Sequence, residues 1–207
     1  NVKDYRSHKD VIEEAYKPLH FVQFHEAIAS GALILDTRDA ENFAEGHITN
    51  SINIGLNGQY AVWAGTVIPF DTPLVLVTEA EKELESITRL VRIGYENIVG
   101  YLDGGYPVYE LINADIDSLP DITPQDALDM VRTSHYSILD VRSADEHAQD
   151  AIPGSINIPL GELSNNLHAL NKDENYIVHC AGGYRSMIAC SILRRNGFRN
   201  VSNVKGG

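Results

Sequence analysis

Only two cysteines, two methionines and one tryptophan occur among the 207 residues. Two cysteines cannot build a framework of several disulfides, so the fold must rest on an apolar core. Basic residues are also scarce, with 16 Lys and Arg against 29 Asp and Glu and a net charge of −13. Nucleic acid and anionic membrane surfaces are therefore excluded as partners, because phosphate binding needs clustered Lys and Arg. An anionic small substrate remains open, through a local site of opposite field. No run reaches the roughly 18 apolar residues of a spanning helix, and "NVKDYRSHKD" is not a signal peptide. The opening lacks an initiator Met, so the chain reads as a piece of a longer protein. What is present is ordinary globular usage, 43% hydrophobic and 22% charged, which argues for a packed core over disorder.

The chain repeats itself. "LILDTRDAENFAEGHITNSINI" (33–54) parallels "SILDVRSADEHAQDAIPGSINI" (137–158), with Asp36 matching Asp140, Arg38 matching Arg142 and Asn53 matching Asn157. "PLVLVT" (73–78) parallels "NYIVHC" (175–180), and "IGYENIVGYLDGG" (93–105) parallels "NGFRNVSNVKGG" (196–207). Three matching stretches in one order at nearly one spacing, too long for a solenoid, mean a tandem duplication. Within each copy short β-branched runs alternate with stretches at helical spacing, which predicts crossover connections and a parallel sheet with helices on both faces. The helices "SITRLVRIG" and "RSMIACSILRRNG" end at Gly94 and Gly197. The polar, proline-bearing "NADIDSLPD" (113–121) reads as the boundary, giving domains 1–115 and 120–207.

Cys180 closes the apolar run "YIVHC" and is followed by "AGGYR". A thiol between a strand and a helix N-terminus can be ringed by backbone N–H groups, which hold an anion and depress its pKa. Ala181, Gly182, Gly183 and Tyr184 form the turn; the glycines admit a close ligand, and Arg185 adds a fixed cation with several donors. Cys190 lies on the helix after the loop. The two sulfurs are then more than about 7 Å apart and cannot bridge, which favours a reduced, cytoplasmic setting.

Four residues separate Cys180 from Arg185. Tyrosine-phosphatase-like enzymes use a similar loop with five, wide enough for a phosphate. The shorter ring resembles the active-site loop of rhodaneses, which cradles one sulfur atom as a persulfide. "ILDVRSADEH…IPGSINIP" and "VSNVKGG" resemble further signatures of that family, so nearly the whole chain resembles two tandem rhodanese domains. Asp150-Ala151 stands where the family has Gly-His, which the first copy keeps as Gly46-His47. The family normally continues past Gly206-Gly207 into a short helix, so the second domain is expected to be truncated at its C-terminal end. The resemblance implies a sulfurtransferase in which Cys180 takes sulfur from thiosulfate or a thiol persulfide and passes it to a thiol, sulfite or cyanide. No cofactor or metal is implied. Asp140 and Arg142 are expected to fix the loop or line its entrance, or to form a structural ion pair with Glu146 or the loop. His179 is expected to point to the opposite side of its strand.

The first copy reads "VTEAEKELES" at the matching place, with Thr78 for the cysteine and Glu79, Glu81, Glu83 and Glu85 after it. It is expected to be an inactive rhodanese-like domain that contacts a partner or the second copy. Both loops, "TEAEKE" and "CAGGYR", are expected to span six residues between strand and helix. "RLVRIGYENIVGYLDGG" (89–105) resembles the pseudo-rhodanese segment of bacterial proteins that carry an N-terminal metallo-β-lactamase-like persulfide dioxygenase domain; such a domain would precede Asn1. Two other readings stay open: a phosphatase or arsenate reductase using the same loop, and a non-catalytic interaction module. A homo-oligomer is compatible with all three.

Overall fold

A computed structural model describes residues 6–112, 115–133 and 135–207. The first copy contains α1 (His8–Ala15), β1 (Pro18–Leu19), α2 (Phe21–Ala29), β2 (Leu33–Asp36), α3 (Ala40–Glu45) and β3 (His47–Ile48). It continues with β4 (Ile52–Asn53), α4 (Tyr60–Val67), β5 (Leu74–Val77), α5 (Glu83–Val91), β6 (Ile98–Leu102), α6 (Gly105–Ile112) and β7 (Ile116–Asp117). The second copy begins with β8 (Asp121–Ile122), α7 (Pro124–Thr133), β9 (Ser137–Asp140), α8 (Ala144–Gln149) and β10 (Ile156–Asn157). It ends with α9 (Leu160–Asn166), β11 (Tyr176–His179), α10 (Tyr184–Arg195) and β12 (Val201–Val204).

Each copy forms one five-stranded sheet in which every paired neighbour is parallel. The strand orders are β1-β6-β5-β2-β4 and β8-β12-β11-β9-β10. Position for position these are the same order, so the duplication seen in the sequence is a duplication of topology. β2, β5, β11 and β12 are buried along their whole length. Parallel strands covered on both faces are buried in this way, which explains the apolar runs of β2, β5 and β11, although β12 buries Ser202 and Asn203 between its valines.

The faces of the two sheets are not equivalent. Ile34, Val75 and Val77 on one face of the first sheet pack with Phe24 of α2 and with Tyr106 and Tyr109 of α6. Leu33, Leu35, Leu74 and Leu76 on its other face belong to a larger cluster that runs on through Leu139, Tyr176, Val178, Cys180 and the buried face of α10. One continuous apolar core therefore joins the copies. Along this seam Ser191 Oγ accepts from the Asn53 N–H at 3.1 Å, and Arg195 donates to the Asn50 carbonyl at 2.7 Å.

The segment read as a boundary is itself built into the fold. Asn113 and Ala114 lie outside the described residues, but β7 pairs antiparallel with β3, and Leu119 is buried with its N–H on the Ala44 carbonyl at 2.9 Å. Arg194 of α10 donates to both oxygens of Asp117 at 2.7–2.8 Å, so this stretch joins the copies. No helix among the described residues is long and apolar enough to cross a membrane.

Candidate active site

β11 alternates as a strand must. Tyr176, Val178 and Cys180 face the shared core, whereas Ile177 and His179 line an apolar hollow on the other side with Ile138 and Val204. His179 is therefore turned away from the thiol. Burial lowers its pKa, and its Nε2 sits 3.6 Å from Asp140 Oδ2 with no hydrogen-bond partner.

Cys180 is the first residue after β11 and is 4% exposed. The chain turns through Ala181 and Gly182, and Gly183 takes the left-handed conformation at φ +83° as the N-cap of α10. A side chain at Gly183 would be strained by that φ, and its Cβ would lie 3.0 Å from the Gly206 nitrogen. The thiol sits 3.4 Å from Ser186 Oγ, itself 3.1 Å from the Gly183 carbonyl. Burial alone would push the thiol up. The Ser186 hydroxyl and the N–H groups of Gly182, Ser186 and Gly183 outweigh it and bring the pKa below its ordinary value. Cys190, fully buried within α10, has no such donors, and burial pushes its thiol well up. Both cysteines are free.

Arg185 forms a two-pronged ion pair with Glu146 at 2.7 and 2.8 Å. That pair holds the Glu146 carboxyl at about 2, with help from the N–H of Ser143, the N-cap of α8, which donates to it at 2.9 Å. Glu146 also serves the capping box of α8, so the cation at the loop rim is anchored to a rigid helix start. Glu146, expected as an alternative partner for Asp140 and Arg142, pairs with Arg185 instead. Asp140 and Arg142 pair with each other: Arg142 Nη2 reaches Asp140 Oδ2 at 2.6 Å and the Asp150 carbonyl at 2.7 Å. Burial would raise the Asp140 carboxyl, but Arg142 and His147 hold it at about 2.

The first copy repeats this last arrangement without the thiol. Arg38 Nη2 reaches Asp36 Oδ2 at 2.6 Å and the Gly46 carbonyl at 2.8 Å. Asn53 and Asn157 each donate to the carbonyls on either side of these turns, Asp36 and Arg38 in one copy and Asp140 and Arg142 in the other. His47 hydrogen-bonds the Phe43 carbonyl at 2.8 Å and stacks on that ring, a tie the second copy replaces with Ala151. The loops themselves differ. Five residues, Thr78 to Lys82, separate β5 from α5, against four, Cys180 to Gly183, between β11 and α10. The expectation of two six-residue loops is corrected to five and four. Tyr184 and Arg185 already belong to α10, which the left-handed Gly183 starts at once, whereas α5 starts one position later from Lys82. Glu81 occupies the left-handed region at φ +66°, where Gly183 stands in the other copy, and Glu79 accepts from Asn42 at 2.8 Å. Among the described residues, no cluster of three or more His, Cys, Asp or Glu is placed to hold a metal.

Two parallel α/β sheets, one carrying a cysteine loop at a helix start, define the class. The sequence profile of the Rhodanese-like domain matches residues 21–111 and 123–207. The chain belongs to the rhodanese-like family, with two such domains in tandem. Among curated relatives, the putative sulfurtransferase YtwF of Bacillus subtilis is 39% identical over 70 residues, covering 34% of this chain and 67% of YtwF. A sulfurtransferase of Allochromatium vinosum is 31% identical over 75 residues, covering 36% of this chain and 70% of that protein. The putative sulfur carrier protein YrkF of Bacillus subtilis is covered over only 38% of its length. Among solved structures, a rhodanese-related protein from Thermoplasma volcanium is 36% identical with a TM-score of 0.40, covering 42% of this chain and 85% of that one.

Proposed function

We propose that the second domain is a sulfurtransferase acting through a Cys180 persulfide. The observation that carries this reading is the thiol itself, held below its ordinary pKa by backbone N–H groups and Ser186 in a four-residue turn ahead of α10. A thiolate so held needs no separate base. It attacks the outer sulfur of thiosulfate; the S–S bond of the donor breaks, sulfite leaves with the bonding electrons, and Cys180 carries S–S⁻. In this reading the donors around the loop stabilise the terminal charge. An acceptor thiolate then attacks the outer sulfur, forms its own persulfide and returns Cys180 to the thiolate. Cyanide in the same step yields thiocyanate, and sulfite yields thiosulfate. A thiol persulfide can replace thiosulfate as donor.

Arg185 draws an anionic donor to the rim, where Glu146 fixes its orientation. Asp140 and Arg142 serve the fold in this reading, since the copy without a thiol builds the same turn. A reduced, cytoplasmic setting belongs to the same proposal, because Cys180 must stay a free thiolate. The first domain is catalytically silent. Paired assays test the reading: thiocyanate formation from thiosulfate and cyanide against hydrolysis of p-nitrophenyl phosphate. Activity in the first alone is expected; activity in the second alone would make the loop a phosphatase.

A further inference from the structure

Tyr184 is the loop residue whose side chain leaves its own domain. Its hydroxyl donates to the Gly55 carbonyl at 2.7 Å, across 129 residues of sequence. Its ring lies on Gly58, where a Cβ would come within 2.3 Å of the ring atoms Cε2 and Cζ; at Gly55 a Cβ would approach Cε2 to 3.4 Å. Neither glycine has a positive φ, so at Gly58 it is the ring and not the backbone that requires glycine, whereas at Gly55 the ring makes an ordinary contact beside the Arg38 carbonyl at 3.3 Å. The segment is held from the other side as well. Arg89 of α5 donates to the Leu56 carbonyl at 2.7 Å and the Gly58 carbonyl at 3.4 Å, and the Leu56 N–H donates to the Thr37 carbonyl at 3.0 Å.

Tyr184 lies between the groups that hold the thiol. Gly182 and Gly183 precede it, and Ser186, whose Oγ lies 3.4 Å from the Cys180 sulfur, follows two residues later; the N–H groups of all three lower the thiol's pKa. A ring fixed at 184 fixes the peptide planes on both sides, because a short turn has few free dihedrals. We propose that the first domain sets the reactivity of Cys180: its Gly55–Gly58 segment is a socket for Tyr184 and so positions the donors around the thiolate. Gly58 and Arg89 are positioning residues in this account. The inference shares its loop with the sulfur-transfer reading and deepens it, but its readout needs only the thiol.

The test is alkylation of Cys180 by iodoacetamide in the full chain, followed against pH and mapped to the Cys180 peptide. Gly58→Ala, which puts a methyl where the ring lies, is expected to raise the midpoint by about half to one pH unit. Alkylation at pH 7 then slows roughly three- to tenfold. In a Tyr184→Ala background, adding Gly58→Ala should change nothing further, since the two act through one contact. If Gly58→Ala does not give a cooperative thermal transition, Tyr184→Phe, which keeps the ring and drops one hydrogen bond, should shift the midpoint upward by less. An unchanged midpoint in every folded variant, or a Gly58→Ala shift kept in full without the Tyr184 ring, would overturn the proposal. Sulfur loading of the unaltered chain is a separate arm: its absence would remove the sulfur-transfer reading and leave the alkylation comparison standing.

Discussion

The two copies share a strand order, a buried Asp-Arg turn and an Asn that ties that turn down, yet they part at one loop. After β11 the chain gives Cys180, two glycines and a helix start whose N–H groups and Ser186 hydroxyl lower the thiol's pKa. After β5 it gives Thr78, a longer turn and four glutamates, one of them in the left-handed region. The contrast separates what the fold needs from what the chemistry needs. Whatever both copies keep is structure, and whatever only the second keeps is a candidate for function.

Removing the nucleophile has the largest expected effect. Cys180→Ser should abolish thiocyanate formation while the thermal transition stays close to that of the unaltered chain, since a serine hydroxyl is a far weaker nucleophile at neutral pH. Retained turnover would place the chemistry elsewhere.

The next effect runs the other way. Thr78→Cys should gain no sulfur, because Glu79, Glu81, Glu83 and Glu85 raise a thiol pKa and repel an anionic donor. Replacing residues 78–84 with CAGGYR also removes the extra loop residue, and this graft should load measurably in a Cys180→Ser chain. Loading of the single substitution at the Cys180 rate would show that the acidic loop does not silence this copy.

Stability sharpens the comparison from the other side. Asp36→Ala and Asp140→Ala each leave an arginine without its partner, buried at Arg38 and part-buried at Arg142, and each should cost about 3 kcal/mol by denaturant unfolding. Equal losses would mark the turn as structural in both copies; a loss of activity at Asp140 without loss of stability would make it part of the site. The Asp140 carboxyl is held at about 2 against an ordinary 3.8. A depressed folded-state pKa contributes stability that is present above the ordinary value, so it should disappear as pH falls from about 4 to about 2.

Smaller still is the effect at the rim. Arg185→Ala should raise KM for thiosulfate roughly tenfold, as expected for loss of one charge-assisted contact. The alkylation midpoint should move little, because backbone groups and Ser186 remain. Glu146→Gln should give a weaker form of the same change by freeing the guanidinium. Cys190→Ser closes the series with little effect on turnover, since that thiol is fully buried and faces no donors.

Much of this was legible in the sequence. The repeat, the parallel sheets and the Cys180 loop ahead of a helix follow from apolar runs, spacing and glycine placement, which are local signals. The partner of Arg185 was not legible. Glu146 lies 39 residues away, and only the meeting of two helix starts brings the pair together. The seat of Tyr184 depends on how one domain packs on the other, and Gly55 and Gly58 read as ordinary turn residues until the ring is placed on them. β7 escaped because two residues carry no alternation to read. The late start of α5 escaped because neither Lys82 nor Gly183 makes a side-chain cap, so neither helix start is marked by one.

The most direct test is the mass of the full chain after incubation with thiosulfate and removal of excess donor. One added sulfur atom, located on the peptide containing Cys180 and lost on addition of cyanide, is the predicted result. No added sulfur in a protein whose Cys180 still alkylates, or sulfur found on Cys190 instead, would contradict it.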